Sequence, residues 1–385
     1  MKRTMAVVMV LVLLVLYSAG AASDTDGAVR KAFKSYRTVG GALVVAKDGE
    51  IIYEQYYGHA DKTAKEKVDK DTYFRIADTS KIATSVLAMK LAEAGRLDLD
   101  RNIGYYLGKY TAGNPYHPGK PVTSRMLLTH TSSIKTSGPL SQDAKLSEVL
   151  DISRKKYGNY MKYAPGTRFQ YSNYGIGILG TVIESITGHS LSVSIRSELL
   201  NRMGIDASYD PLLLNKPEKI VTTYRSDGTI DVTRKKRLRE DLAEGQGRHD
   251  EADLDRDYKE GYGGLWIKAR DLCSIGIMLC SKGKYAGKQI LKKETVEEML
   301  CQQKGKGGIT ADTPYGLGIQ YEDRLDPGIV YYGHQGASNG VVSCMYFNPE
   351  TGLVFVLVTN GCNNRKINYI SALVRRMYEI VRKEM

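Results

Sequence analysis

The spacing of apolar and polar positions changes several times along the chain, and each change marks an expected element. Residues 28–36 carry a helical pattern. Two β-rich runs, Gly41-Ala42-Leu43-Val44-Val45-Ala46 and Ile51-Ile52-Tyr53-Glu54, then flank an Asp48-Gly49 turn and predict a hairpin. The following stretch to Asp71 is polar and reads as loop. Residues 82–94 predict a helix with apolar side chains on most faces, at Ile82, Val86, Leu87, Met89, Leu91 and Ala92, which calls for burial. Gly95 stands at its C-cap position. Towards the C-terminus, 315–321, 329–332, 341–347 and 353–359 read as successive strands, with Asn348-Pro349-Glu350-Thr351-Gly352 as the turn between the last two. Residues 367–382 form an amphipathic closing helix. Strands at both ends with helices between them predict an α/β chain of the α+β kind: one antiparallel sheet built from both chain ends with flanking helices, and an inserted, mainly helical lobe. The sheet lobe is expected over about 28–80 and 261–385 and the helical lobe over about 81–260.

A length of 385 residues, 42% hydrophobic and 25% charged, supports a large core and excludes a disordered or low-complexity chain. The first residues read as an export leader over 1–22: Lys2 and Arg3, an apolar run over 6–16, and small residues over 18–22 suited to cleavage. An uncleaved anchor is the competing reading, although the apolar run is shorter than the ~20 residues that span a bilayer. Either way the domain is expected outside the cytoplasm, secreted or at the cell surface or periplasm, with membrane contact only if the leader is an anchor. The formal charge of +12, to which Lys2 and Arg3 contribute, favours an anionic cell surface or wall polymer, or serves solubility alone. No nucleic-acid partner is expected, because the basic run Arg234-Lys235-Lys236-Arg237-Leu238-Arg239 passes at once into Glu240-Asp241 and carries no recognition motif. It reads as a solvated loop-to-helix segment. Cys273, Cys280, Cys301, Cys344 and Cys362 include no Cys-x-x-Cys pair and fit buried small hydrophobes better than disulfides. The histidines lack zinc-ligand spacing, so neither a metal nor another cofactor is expected.

Three stretches carry candidate chemistry. Tyr73-Phe74-Arg75-Ile76-Ala77-Asp78-Thr79-Ser80-Lys81 runs straight into the apolar helix. Ala164-Pro165-Gly166-Thr167-Arg168-Phe169-Gln170-Tyr171-Ser172-Asn173-Tyr174-Gly175 places a Pro-Gly turn before Tyr-Ser-Asn, with a helical run over 178–184 behind it. Gly333-His334-Gln335-Gly336-Ala337 stands among the C-terminal strands. In this order the three resemble the serine β-lactamase and penicillin-binding-protein superfamily, of class C β-lactamase and D-alanyl-D-alanine carboxypeptidase type. They are similar to its aromatic-Arg-Ile-small lead into Ser-x-x-Lys, its Tyr-x-Asn element, and the His-x-Gly variant of its Lys-Thr-Gly strand. The string VTSRMLLTHTSS from Val122 resembles a structural block that more often ends in Thr-Ser-Gly, with Ser133 in place of the Gly. Gly261-Tyr262-Gly263-Gly264-Leu265-Trp266 and a helix over 271–280 resemble a later block.

The resemblance implies a β-lactamase/transpeptidase-like fold and an acyl-transfer cleft. In that family a Ser attacks a carbonyl, Lys and Tyr handle the proton, and two backbone N–H groups hold the oxyanion. Carried over, Lys81, Tyr171, Asn173 and His334 line the cleft, and the N–H groups of Asp78 and Ala337, beside Gly336, are the oxyanion donors. The ligand implied is a small molecule or a peptidoglycan peptide, whose carboxylate His334 and nearby cations would receive.

The family's Ser is absent, because position 78 is Asp. A carboxylate attacking an amide would have to form an anhydride and expel a poor amine leaving group, which disfavours covalent amide hydrolysis through Asp78. Ser80 is expected to point away from the helix face shared by positions 78 and 81, and Thr79 has the same difficulty. As a helix N-cap paired with Lys81, Asp78 would seal the site with an internal ion pair. Two alternatives stay open: a working carboxypeptidase or esterase in which Asp78 or Tyr171 activates water or another nucleophile acts, and a non-catalytic interaction protein. Ser132-Ser133-Ile134-Lys135 and Ser153-Arg154-Lys155-Lys156 also spell Ser-x-x-Lys but lack the aromatic-Arg lead-in and the apolar helix.

Overall fold

A computed structural model describes residues 24–108, 110, 113–136, 145–150, 159–231, 252, 254, 258–367 and 369–383. The expected leader, the basic run at 234–239 and the Ser153 string lie outside them.

Both ends of the chain meet in one sheet. β1 (Gly40–Lys47) and β2 (Glu50–Asp61) form the expected hairpin, closed by Asp48 at φ 52° and Gly49 at φ 89°, the two positive angles of a type I′ turn. β2 continues to Asp61, and β3 (Glu66–Lys67) pairs with its end, where the polar sequence reads as loop. β1 ladders with β2 as far as Gly58, and β3 pairs with the polar end of β2 beyond it. Three short ladders stand apart from the sheet among the described residues: β4 (Tyr73–Arg75) with β5 (Trp266–Lys268), β6 (Lys284–Tyr285) with β7 (Lys288–Gln289), and Lys366–Ile367 with Ile370–Ser371. β8 (Gln320–Asp326), β9 (Ile329–Ser338), β10 (Val341–Asn348) and β11 (Leu353–Thr359) complete a seven-stranded antiparallel sheet in the order β3-β2-β1-β11-β10-β9-β8.

Alternation along β1 sorts its side chains between two cores. Leu43 and Val45 pack with Phe33, Phe355 and Met377, under the helix over 24–35 and the closing helix Ala372–Val381. Ala42, Val44 and Ala46 join the larger core on the other face, where the helix Ala269–Cys280 lies on β1, β10 and β11. The apolar helix, Ser80–Glu93, is buried on nearly every face. It ends in a Schellman motif: Gly95, at φ 71°, donates its N–H to Ala92 O at 2.9 Å, and Arg96 donates to Leu91 O at 2.9 Å. All five cysteines are free, with Cys273, Cys344 and Cys362 buried.

Two expectations fail for identifiable reasons. Residues 315–319 form a tight loop instead of a strand, because the Gly316 N–H donates to Ile319 O at 2.9 Å and Gly318, at φ 75°, packs against Ser85. The closing helix starts at Ala372 instead of 367. Tyr369 takes φ 66°, and Gln335 on β9 grips the backbone there, donating to Tyr369 O at 2.8 Å and accepting from the Ser371 N–H at 3.1 Å.

Candidate functional site

Asp78 sits in a 3-10 turn, Ala77–Thr79, that joins β4 to the helix Ser80–Glu93. Ala77 takes φ 45°, a left-handed conformation that costs a residue with a Cβ about 1–2 kcal/mol and is held by its surroundings. Those surroundings are β9 and β10. Ser343 on β10 donates from Oγ to Ile76 O at 2.6 Å and meets Thr79 Oγ1 at 2.8 Å. On β9, a Cβ at Gly336 would stand 2.7 Å from Ile76 O and 2.8 Å from Asp78 N, so only glycine lets the strand approach the turn. The Asp78 N–H thus lies beside the strand residue that precedes Ala337. Ser80 Oγ faces inwards and accepts from the Leu265 N–H at 3.1 Å. Thr79 and Ser80 are both engaged by the fold.

Lys81 is the buried member of the pair that remains, its side chain 1% exposed against 26% for Asp78. Its Nζ donates to Asp78 Oδ1 at 2.5 Å and to Tyr262 O at 2.8 Å. The rings of Tyr171 and Tyr262 take up further space around it, with centroids 5.3 and 5.4 Å from Nζ. Burial pushes the Lys81 ammonium down, and Asp78 opposes that shift. Burial equally works against charge on Asp78, but the Lys81 ammonium, with His334 and Tyr171 nearby, outweighs it and holds the carboxyl below the usual range. The two form an ion pair at neutral pH. Burial, with the Asp78 carboxylate nearby, pushes the Tyr171 phenol well up, so it keeps its proton. The expected N-cap role does not hold: Asp78 lies inside the turn, the N-cap positions fall on Ile76 and Thr79 without side-chain caps, and the carboxylate engages Lys81 instead.

His334 lies on β9, 3% exposed. Its Nδ1 is 2.6 Å from Gln335 O, which can only accept, so Nδ1 carries the proton. Nε2, 3.2 Å from Tyr315 Oη, then accepts from the phenol. Burial, with Lys81 nearby, pushes the ring down to about 4. His334 therefore offers neither charge nor a free N–H to a ligand carboxylate, contrary to the role the resemblance implies. His130 fills the space behind, 4.5 Å from the Tyr171 ring and 4.9 Å from that of Tyr315, and accepts at Nδ1 from the Ser172 N–H at 3.1 Å. Burial holds it well below the ordinary histidine value.

The Pro165-Gly166 turn is pinned on both sides. Gly166, at φ 84°, donates to Thr131 O and accepts from the Thr310 N–H, each at 2.8 Å. Ser172 then caps the helix Asn173–Thr187 by accepting from the Gly175 N–H at 2.9 Å, which delivers Tyr171 to Asp78. Asn173 does not bond Lys81 or Asp78. Its N–H donates to Thr136 Oγ1 at 3.2 Å, and its buried Oδ1 has no hydrogen-bond partner among the described residues. Ser133 takes φ 62°, keeping the left-handed geometry that the family's glycine would supply. The string Ser132–Lys135 starts no helix: Ile134 bridges Tyr160, and the Lys135 N–H donates to Asn159 O at 2.7 Å.

Asp78, Lys81, Tyr171, His334 and the Gly336-Ala337 backbone are thus brought together, with Asn173 adjacent but unconnected. His130, Tyr262 and Tyr315 join them without any local signal in the sequence. Tyr262 falls in a segment read as structural, and its carbonyl reaches Lys81 across a separation of 181 positions.

The family model described as Beta-lactamase matches residues 25–371. The chain is 26% identical over 246 residues to Esterase EstB of Burkholderia gladioli, a match covering 60% of this chain and 62% of that protein, less than two thirds of its length. It is 26% identical over 351 residues to the N-acetylmuramyl-L-alanine amidase of Bacillus subtilis (strain 168), covering 83% of this chain and 77% of that one. A solved class C beta-lactamase mutant superposes with a TM-score of 0.70 at 18% identity, covering 94% of this chain and 97% of its own. With the family match spanning nearly all of a fold whose two ends close one antiparallel sheet, the chain belongs to the beta-lactamase family and has the β-lactamase/transpeptidase-like fold.

Proposed function

We propose that this chain is an exported member of the family whose cleft binds an acyl ligand, a cell-wall peptide, β-lactam or ester, without efficient turnover, because Asp78 replaces the nucleophilic Ser. The observation that carries this reading is the 2.5 Å ion pair between Asp78 and Lys81. In acyl transfer the lysine must take up or relay the proton of the nucleophile. An ammonium bound to a carboxylate and to Tyr262 O has no lone pair for that task. The hydroxyls of Thr79 and Ser80, bonded to Ser343 and to the Leu265 N–H, supply no replacement nucleophile. The close approach of Gly336 to the Asp78 N–H is consistent with an oxyanion site formed by the N–H groups of Asp78 and Ala337. An esterase and an amidase among the relatives support an acyl ligand. Export rests on the composition of residues 1–22.

The test compares wild type with Asp78→Ser, using a fluorescent penicillin with intact-mass detection and a chromogenic ester. The expected result is an inert wild type and an Asp78→Ser protein labelled at residue 78. A second reading draws on the 26% exposure of the Asp78 side chain, which leaves the carboxylate within reach of a water it could activate. Ester turnover by wild type, or its labelling elsewhere, would select that reading and overturn the first.

A further inference from the structure

Among the described residues, the cations and rings beside Asp78 already have partners of their own. Lys81 is bound to Asp78 and Tyr262 O and is enclosed by two rings. Arg324, whose charge is felt by Tyr315 next to His334, is held by Glu322 through Nε–Oε1 and Nη2–Oε2 contacts of 2.7 Å, and Glu322 is 0% exposed. Both ring nitrogens of His334 are occupied, by Gln335 O and by the Tyr315 phenol. His130 is buried and accepts from Ser172. A carboxylate entering here meets the partly exposed, ionised Asp78, while Lys81 is already bound to Asp78 and Tyr262 O and neither ring nitrogen of His334 is open to it. Removing a carboxylate from water without a partner is costly. A neutral carbonyl asks only for backbone N–H donors and gains contact with Tyr171 and Tyr262.

We infer that the cleft selects uncharged acyl ligands, esters or amides with no carboxylate beside the reacting carbonyl, over their carboxylate counterparts. This narrows the substrate class and rests on the acyl-binding reading above.

Calorimetric titration of wild type at pH 7 with benzylpenicillin and with its methyl ester tests it, because the two differ by that one charge. The ester is expected to bind at least about tenfold tighter, equivalent to about 1.4 kcal/mol. Benzylpenicillin binding as tightly as the ester, or more tightly, overturns this inference and leaves the acyl cleft standing. Binding of neither overturns both. His334→Lys places an ammonium at the point in question and is expected to narrow or reverse the preference. An unchanged preference in a folded His334→Lys protein also overturns the inference, and the wild-type comparison decides if that variant does not fold.

Discussion

Replacing Asp78 by Asn preserves the size of the side chain and removes the charge that pairs Lys81. Lys81, 1% exposed, then has two courses. It can keep its proton as an unpaired buried charge, at a cost of about 3–5 kcal/mol, or it can release the proton. Release at pH 7 from an ordinary value of 10.5 costs about 5 kcal/mol, at about 1.4 kcal/mol per pH unit, and this caps the loss. In the second case the unfolded chain binds a proton that the folded variant does not, so stability of the variant rises with pH. In wild type Asp78 opposes that release, and the slope is smaller. Where Lys81 releases its proton, the loss of about 5 kcal/mol at pH 7 should shrink by about 2 kcal/mol at pH 8.5. Urea unfolding of both proteins at the two pH values measures it, with m-values confirming a common denatured state. Combining Asp78→Asn with Lys81→Met removes both charges and should recover most of the loss. A loss below about 1 kcal/mol at pH 7 refutes the claim that Asp78 keeps Lys81 charged.

Acid should destabilise the protein through His334, whose value falls from an ordinary 6.5 to about 4 in the folded state. The unfolded chain takes up this proton first, so the contribution is complete above pH 6.5 and is lost as pH falls towards 4, about 3 kcal/mol in all. His130 acts in the same direction, and Asp78 adds a further loss below its ordinary 3.8. Urea midpoints at pH 7 and 4.5 check this against His334→Gln, and an equal acid loss in that variant contradicts the assignment. Gly336→Ala brings a methyl group to 2.7 Å from Ile76 O and 2.8 Å from Asp78 N, both backbone atoms that cannot swing aside. A loss of about 1–3 kcal/mol, read as a lower Tm, should accompany weakened ligand binding. An unchanged Tm with unchanged binding would mean that β9 and the turn are not in close contact.

The elements readable in the sequence are those whose cause is local. Asp48-Gly49 adopts the positive φ angles that a short hairpin needs, the helix beginning at Ser80 is apolar on nearly every face, and β10 and β11 are mostly apolar runs, β10 interrupted by Ser343. The local pattern misleads at 315–319 and 366–371, where the packing of Gly318 against Ser85 and the grip of the Gln335 side chain overrule it. The same division runs through the candidate site. Asp78, Lys81, Tyr171 and His334 can be named from motif spacing, which records which residues share a helix turn or follow a cap. Their chemical state cannot, because it is set by partners distant in sequence. Ser343 engages Thr79 across 264 positions and Tyr262 O binds Lys81 across 181. Local spacing is enough to point to the family, to a sheet closed by both chain ends, and to an Asp and a Lys one turn apart. The packing of distant segments is what binds Lys81 to Asp78 and Tyr262 O, leaves His334 neutral, and keeps Asn173 out of that pair. Burial sets the cost of each charge and hydrogen-bond geometry assigns each proton, and both arise only when distant segments pack together.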